Sequence, residues 1–401
     1  MSRVTFSMVN DLVMRQLGKN QTKLSILQEQ LSSGKALSRP SDNPIEVGND
    51  LDLRASLAHR AQNGRNNDNG STYLTVLDST MMGFDDLFQR TRELALQGAS
   101  DTLLARDRQS VNDEVRQVLL QMVNLGNSSY KGDYLFSGTD TDKAPYSVLQ
   151  GGMNINLVGN EVPLGGVIPD PTDPTYALNV PLKLYDRNIE DSIDPVSPYG
   201  NPAVRRIIPG TLEINNLVEG TDFTVDYVKG EITFLTPAAD AEATAGTLDI
   251  NFDWIRRNEL LNTNGDIKRE IEPGIVMNIN VKADDVFGDE LSMDTYSSVI
   301  SLMQGLHTNT QSEIETSITN VDDSLIRMLG QQATVGAWSN RMTATIGRND
   351  ENIIIATDLQ SKIEDLDFAE AISQFTMADS VYQASLKSAS KVLTNTLMDY
   401  L

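Results

Sequence analysis

MSRVTFSMVNDLVMRQLGKNQTKLSILQEQLSSG, residues 1–34, places apolar groups at Phe6, Val13, Leu17, Leu24, Leu27 and Leu31. Intervals of three, four and seven put these side chains on one narrow stripe of a helix, the seam of a coiled coil. The C-terminal end repeats the pattern with Ile372, Phe375, Tyr382, Leu386, Ala389, Leu393 and Tyr400. Charge distinguishes the two stripes. Residues 1–40 hold six bases against two acids, and residues 358–401 hold seven acids against three bases. Two ends of opposite charge, each with one apolar face, are expected to pack together as a terminal coiled-coil assembly domain built from residues 1–43 and 358–401. A single pair of such narrow-striped helices is marginal alone, because most helical stability comes from packing an apolar face. Copies from neighbouring subunits are expected to supply the missing contacts.

Working inward, Gly34 is a natural helix stop, and Pro40 and Pro44 break the connector 37–44. Asn43 can cap a new helix, Pro44 suits its first position, and Glu46 stands where a capping-box carboxylate reaches back. That helix is expected to reach Gly98, with a stripe of Leu74, Leu77, Met81, Phe84, Phe88, Thr91 and Ala95. Asp101 or Thr102 is expected to cap the next helix, whose face is Val111, Val115, Val118, Met122 and Leu125. Helix returns after about Leu291 and runs to the end, with breaks expected near Gly330 and Gly336. Residues 44–145 and 291–357 thus read as a helical bundle domain with a β-hairpin.

Between them the period changes. Met153–Leu157, Thr247–Phe252 and Ile275–Val281 read as strands, and Phe223–Tyr227 faces Ile232–Phe234 across Lys229-Gly230 as a hairpin with a tight turn. Residues 146–290 carry 24 acids against 10 bases, and most of the chain's 14 prolines lie between 145 and 237. This is the composition of an outward-facing, solvated β-rich insert. The fold class is therefore mainly α with a β insert: a discontinuous long-helix coiled-coil bundle formed by both chain ends, plus a central β-rich domain.

A net charge of −24 argues against nucleic acid, which needs a basic surface to displace counterions. No apolar run approaches the ~20 residues that cross a bilayer, so no membrane partner is expected. The N-terminal residues lack the apolar core and cleavage site of an ordinary secretory signal. Cysteine is absent, which removes disulfides, thiolate metal sites and thiol nucleophiles. The two histidines, His59 and His307, each stand alone in a helical pattern, where a surface or packing role is expected. Gly34-Lys35 fails as a phosphate loop, since Ala36 occupies the magnesium-binding Ser/Thr position and Glu29 the leading glycine position. Asp140-Thr-Asp142 lacks the alternating oxygen ligands of a calcium loop. No nucleophile, base and orienter can be nominated together. No catalytic, cofactor-binding or metal residue is assigned, and the chain reads as a structural or interaction protein rather than an enzyme. A hydrolase using carboxylates alone within the insert is the alternative from another class.

The block Glu29-Gln-Leu-Ser-Ser-Gly-Lys35, followed by Arg39-Pro-Ser-Asp-Asn-Pro44, resembles the N-terminal signature of the flagellins and flagellar hook-associated proteins. Gly132-Asp-Tyr-Leu-Phe-Ser-Gly138, Val335-Gly-Ala337 with Asn340, and Ser385–Ser390 with Leu397–Leu401 agree with it. The similarity covers residues 1–145 and about 290–401, with a weaker echo at Val276–Val281 and Asp285-Val-Phe-Gly288. Pro40 and Pro44 fit the hook-associated branch better than filament flagellin. Asn43, where a second aspartate is usual, and Trp338, where a basic residue is common, depart from the pattern; Trp338 could mark a changed contact. The resemblance implies a structural component of the bacterial flagellum, a junction adaptor between hook and filament. Filament-forming flagellin is the alternative within the family. It further implies an extracellular protein exported through the flagellar type III apparatus without a cleaved signal peptide. Its implied partners are hook-associated protein 1, flagellin, copies of itself in a ring, and an export chaperone at the C-terminal region.

Overall fold

In a computed structural model, residues 6–37, 43–156, 182–184, 205–214, 217–235, 247–257, 265–288 and 294–398 are described. Helix α1 spans Phe6–Ser33. Gly34, at φ +72°, ends it in the left-handed conformation that glycine adopts without penalty, and its N–H closes on the Gln30 carbonyl at 2.8 Å. Helix α2 spans Pro44–Gly98, and Asn43 Oδ1 accepts from the Glu46 N–H at 3.4 Å. The cap falls where the sequence places it. Helix α3, Ala105–Gly126, does not start as expected. Leu104 stands at its N-cap with no side-chain hydrogen bond, and neither Asp101 nor Thr102 caps it. Arg108 instead organises the turn, donating from Nε to the Gly98 carbonyl at 2.9 Å and from Nη2 to the Ser100 carbonyl at 3.1 Å.

Among the described residues ten strands follow: β1 Ser129–Tyr130, β2 Asp133–Tyr134, β3 Tyr146–Asn156, β4 Leu182–Lys183, β5 Glu213–Ile214, β6 Phe223–Asp226, β7 Glu231–Phe234, β8 Thr247–Arg257, β9 Lys268–Glu272 and β10 Ile275–Asn278. Helices α4 (Ala283–Phe287), α5 (Thr295–His307), α6 (Gln311–Glu364) and α7 (Phe368–Met398) complete the chain. The fold is mainly helical with a central β region, and the two terminal helices, α1 and α7, pack together. Gly330 and Gly336 do not break α6, which runs through both without interruption. A glycine inside a helix costs only about 1 kcal/mol, less than the surrounding helix supplies.

Two compact units are present. One comprises Met1–Asn66, Glu272–Gly274 and Thr345–Leu401; the other comprises Asn67–Ile271 and Ile275–Ala344. In the second unit, all seven stripe residues of α2 named above, Leu74 to Ala95, are fully buried. Phe287, on the one-turn helix α4, sits among four aromatic rings. Its centroid lies 5.0 Å from Phe136, 5.3 Å from Phe84, 5.4 Å from Tyr146 and 5.7 Å from Tyr296. Strands β3 and β8 pair antiparallel along their whole length, Tyr146 opposite Arg257 and Asn156 opposite Thr247, with β5 on the far side of β8. A second sheet has the order β4-β7-β6. The β6–β7 hairpin exists, but its turn is longer than the expected two-residue form, because Asp226 pairs directly with Glu231. Asp226 Oδ1 accepts from the Lys229 N–H at 3.0 Å, and Gly230, at φ +67°, donates to the Asp226 carbonyl. This aspartate-led turn closes four residues.

A buried ion pair links distant segments of this unit. Arg206 Nη1 lies 2.7 Å from Asp294 Oδ2, with both side chains at most 3% exposed. The other Asp294 oxygen accepts from the Ser297 N–H at 2.6 Å, capping α5. Truncating Arg206 to alanine leaves a buried carboxylate without its counter-charge, an expected loss of ~3–5 kcal/mol. Urea unfolding of the full chain checks it, and a shift under 1 kcal/mol contradicts it.

Candidate assembly interface

The first unit brings the two predicted stripes together. Helices α1 and α7 run antiparallel, with Asn20 Nδ2 donating to Ser385 Oγ at 2.9 Å and the Lys35 and Asp365 backbones forming an isolated antiparallel β-bridge at the adjoining ends. Of the predicted seam residues, Leu27 and Ala389 are buried, and Val13, Leu17, Leu24, Leu31, Phe375 and Tyr382 are half-buried. Ile372 is 55% exposed and Leu386 42% exposed. The side chains of Phe6 and Leu393, and all of Tyr400, lie outside the described residues. Within the single chain, the two helices cover only part of the predicted stripe. A shallow groove of about 610 Å³ follows the α1 side, lined by Lys19, Lys23, Ile26, Leu27 and Gln374 among others.

Charge is distributed in the same unfinished way. Arg15, Lys19 and Lys23 on α1, and Glu370 and Asp379 on α7, form no ion pair among the described residues. Arg15 Nε donates to a carbonyl of its own helix, and the two acids accept from Gln374 and Gln383 one turn on. The opposite charges of the chain ends, read from the sequence as attraction between those ends, are left unmatched at these five positions.

The ion pairing that does join the ends lies at their base, between members of the two opposite charge sets that the sequence did not single out. Glu364, the last residue of α6, is buried and receives Lys35 Nζ and Arg54 Nη2, the latter at 2.6 Å. Arg54 Nε also contacts Asp50 Oδ2 at 2.8 Å, and Gln360 Nε2 bridges Asp50 and Glu364, each at 3.2 Å. Backbone bonds lock the same corner: Ala36 N–H to the Glu364 carbonyl at 2.7 Å, and Leu366 N–H to the Gly34 carbonyl at 3.0 Å. Gly34-Lys35, rejected as a phosphate cradle, therefore ends one helix and clamps it to the end of α6. The signal in the sequence was a lysine directly after a helix stop, opposite an end rich in acid.

The Lys35 hydrogen bond, aided by the Arg54 charge, holds the Glu364 carboxyl below its ordinary range. A depressed carboxylate contributes stability above its unfolded value and loses it as pH falls through its folded value. Both cations are about half exposed, so solvent screening keeps the contribution of the clamp small. Acidification through and below the carboxylate range should raise hydrogen exchange at Ala36 and Leu366, while Glu364→Gln should show high exchange throughout. Unchanged exchange in acid would contradict the assignment.

Among the described residues, no group of three or more His, Asp or Glu side chains is placed to hold a metal ion, and no helix is long and apolar enough to cross a membrane.

Comparison with known proteins identifies the family. The family model of the bacterial flagellin N-terminal helical region matches residues 6–141, and that of the bacterial flagellin C-terminal helical region matches residues 318–401. Together they span 220 of the 401 residues. The chain is 22% identical over 384 residues to a flagellin of Clostridium tyrobutyricum, covering 93% of this chain and 94% of that protein. It is 26% identical over 151 residues to flagellar hook-associated protein 3 of Salmonella typhimurium, covering 37% of this chain and 48% of that relative, about half its length. Among solved structures, flagellar hook associated protein-3 from Legionella pneumophila superposes with a TM-score of 0.40 at 14% identity, over 78% of this chain and 98% of that one.

Proposed function

We propose, for a chain that belongs to the flagellin family and is thus a structural component of the bacterial flagellum and not an enzyme, the role of hook–filament junction adaptor, a hook-associated protein 3. The observation that carries an assembly role is the open α1–α7 face. Two seam residues stay exposed, and two of the five charges without an ion pair, Lys19 and Lys23, line the groove. In this reading, neighbouring copies cover the stripe in a ring, hook-associated protein 1 abuts the hook side, and flagellin the filament side. Residues 1–43 and 358–401 form the assembly domain, 44–145 and 291–357 the bundle, and 146–290 the outward insert. Export runs through the flagellar type III apparatus, with a chaperone shielding the C-terminal region beforehand.

The junction, rather than the filament, is favoured by Pro40 and by Asp42-Asn-Pro44 in the connector, and by Val4-Thr-Phe-Ser7 near the start, where filament flagellins usually carry Asn-Thr-Asn. The second reading, filament flagellin, draws support from the Clostridium tyrobutyricum relative, which matches along 94% of its length. Quantitative mass spectrometry of sheared, purified flagella separates the two. An adaptor is a trace component found where the hook ends, and its removal leaves hooks without filaments. If this chain is the bulk of the filament, the adaptor reading is wrong.

A further inference from the structure

His307, the last residue of α5, is half-buried and not alone. Its Nε2 lies 2.9 Å from Glu219 Oε2, and the same oxygen accepts from the Tyr227 hydroxyl at 2.6 Å. The imidazole meets the Tyr227 ring edge-on, with centroids 6.0 Å apart and planes at 85°. One turn earlier, Gln304 Oε1 accepts from the Tyr227 N–H at 3.2 Å. Glu219 belongs to the connection before β6 and bridges Phe223; Tyr227 opens the β6–β7 turn. The polar attachment of the hairpin to α5 thus has two parts: the Gln304 hydrogen bond, and one carboxylate oxygen shared by a phenol and an imidazole.

We infer that Glu219, Tyr227 and His307 form a proton-operated latch, which holds the β6–β7 hairpin on α5 while the imidazole is protonated and loosens when it loses that proton. The groups facing the ring are the Glu219 carboxylate and the Tyr227 phenol. Other charges nearby are engaged elsewhere. Glu313, on α6, accepts from Thr308 Oγ1 at 3.2 Å, and Arg108, on α3, donates to Asn309 Oδ1 and to the Gly98 and Ser100 carbonyls. Protonated His307 is the one cationic partner of Glu219 among the described residues. Its place at a helix C-terminus also favours the cation.

The neutral ring can still donate from Nε2, but without charge assistance, and it leaves a half-buried carboxylate without its counter-charge. Burial of Tyr227, and then the nearby Glu219 charge, push the phenol up, so it stays a donor while the imidazole titrates. The Glu219 hydrogen bond raises the imidazole against the opposing effect of burial. The sign follows: a raised histidine contributes fully below its unfolded value, and the contribution is lost as pH rises through its folded value. His307 is the one histidine of its unit, since His59 lies in the other.

Titration of the His307 ring by NMR, paired with hydrogen-exchange protection factors for residues 223–234 of the full chain from pH 5.5 to 9, tests the latch. The expected midpoint lies above that of free histidine, and hairpin protection falls about three- to tenfold with the same midpoint. Glu219→Gln should bring the midpoint down and flatten the pH dependence. His307→Gln should flatten it too, with helical circular dichroism unchanged. Hairpin protection that is independent of pH, or a midpoint at or below that of free histidine, overturns the inference. So does a pH dependence that persists unchanged in Glu219→Gln.

Discussion

Replacing Ile372 with aspartate should leave the monomer as stable as before and abolish its assembly. Ile372 belongs to the predicted stripe of α7, yet it is 55% exposed in the single chain. A carboxylate there meets water, and surface substitutions of this kind usually change stability by no more than about 0.5 kcal/mol. If a neighbouring subunit covers the position, the substitution forfeits about 1.5–3 kcal/mol of isoleucine burial and adds the cost of desolvating a charge. At about 1.4 kcal/mol per tenfold in affinity, each such contact weakens by roughly two orders of magnitude, and the loss recurs in every copy. If the proposed junction role holds, cells carrying the change should release flagellin as monomers and carry hooks without filaments. Leu27→Asp is the informative contrast, because Leu27 is already buried against its own chain. It should loosen the α1–α7 pair in the monomer as well. Normal filaments on Ile372→Asp cells would show that the exposed part of the stripe is not an interface.

Phe287→Ala should destabilise the second unit by about 3–5 kcal/mol, the usual cost of emptying a buried phenylalanine site. The position earns that range because the ring is fully buried and contacts four other aromatic rings. Edge-to-face pairs add about 0.5–1.5 kcal/mol each beyond burial. Against a total stability of about 5–15 kcal/mol for a domain, such a loss is a large fraction. Val276→Ala, at a residue 55% exposed, is the control and should shift the denaturation midpoint little. A small effect at Phe287 would mean that the helix-to-sheet core is not organised around α4.

Which parts of this were legible in the sequence follows from the range of the forces involved. The α2 stripe from Leu74 to Ala95 was readable because a helix that buries one face must repeat every three or four residues, and all seven positions are buried. Gly34, Asn43 and Pro44 were readable because caps and stops are settled by neighbours in the chain. The breaks expected at Gly330 and Gly336 did not occur, since a long packed helix outweighs a local preference for bending. Asp101 and Thr102 lost the α3 start to Arg108, whose reach to the Gly98 and Ser100 carbonyls no spacing rule contains. The individual long-range pairs escaped. Arg206 with Asp294, Glu364 with Lys35 and Arg54, and His307 with Glu219 each join segments at least 88 positions apart. Their partners are chosen by the fold. The stripes on α1 and α7 showed which faces are apolar, but not that Ile372 and Leu386 would remain uncovered within one chain.

That uncovered face is where the account is most directly tested. Hydrogen exchange of α1 and α7, measured in the purified monomer and again in intact flagella, reads its coverage. The expected result is rapid exchange along both helices in the monomer, far faster than at Leu74–Ala95 of α2, and strong protection of both once assembled. Equal protection of α1 and α7 in the two states would show that the ends are complete within one chain, and would contradict the claim that neighbouring subunits finish the seam.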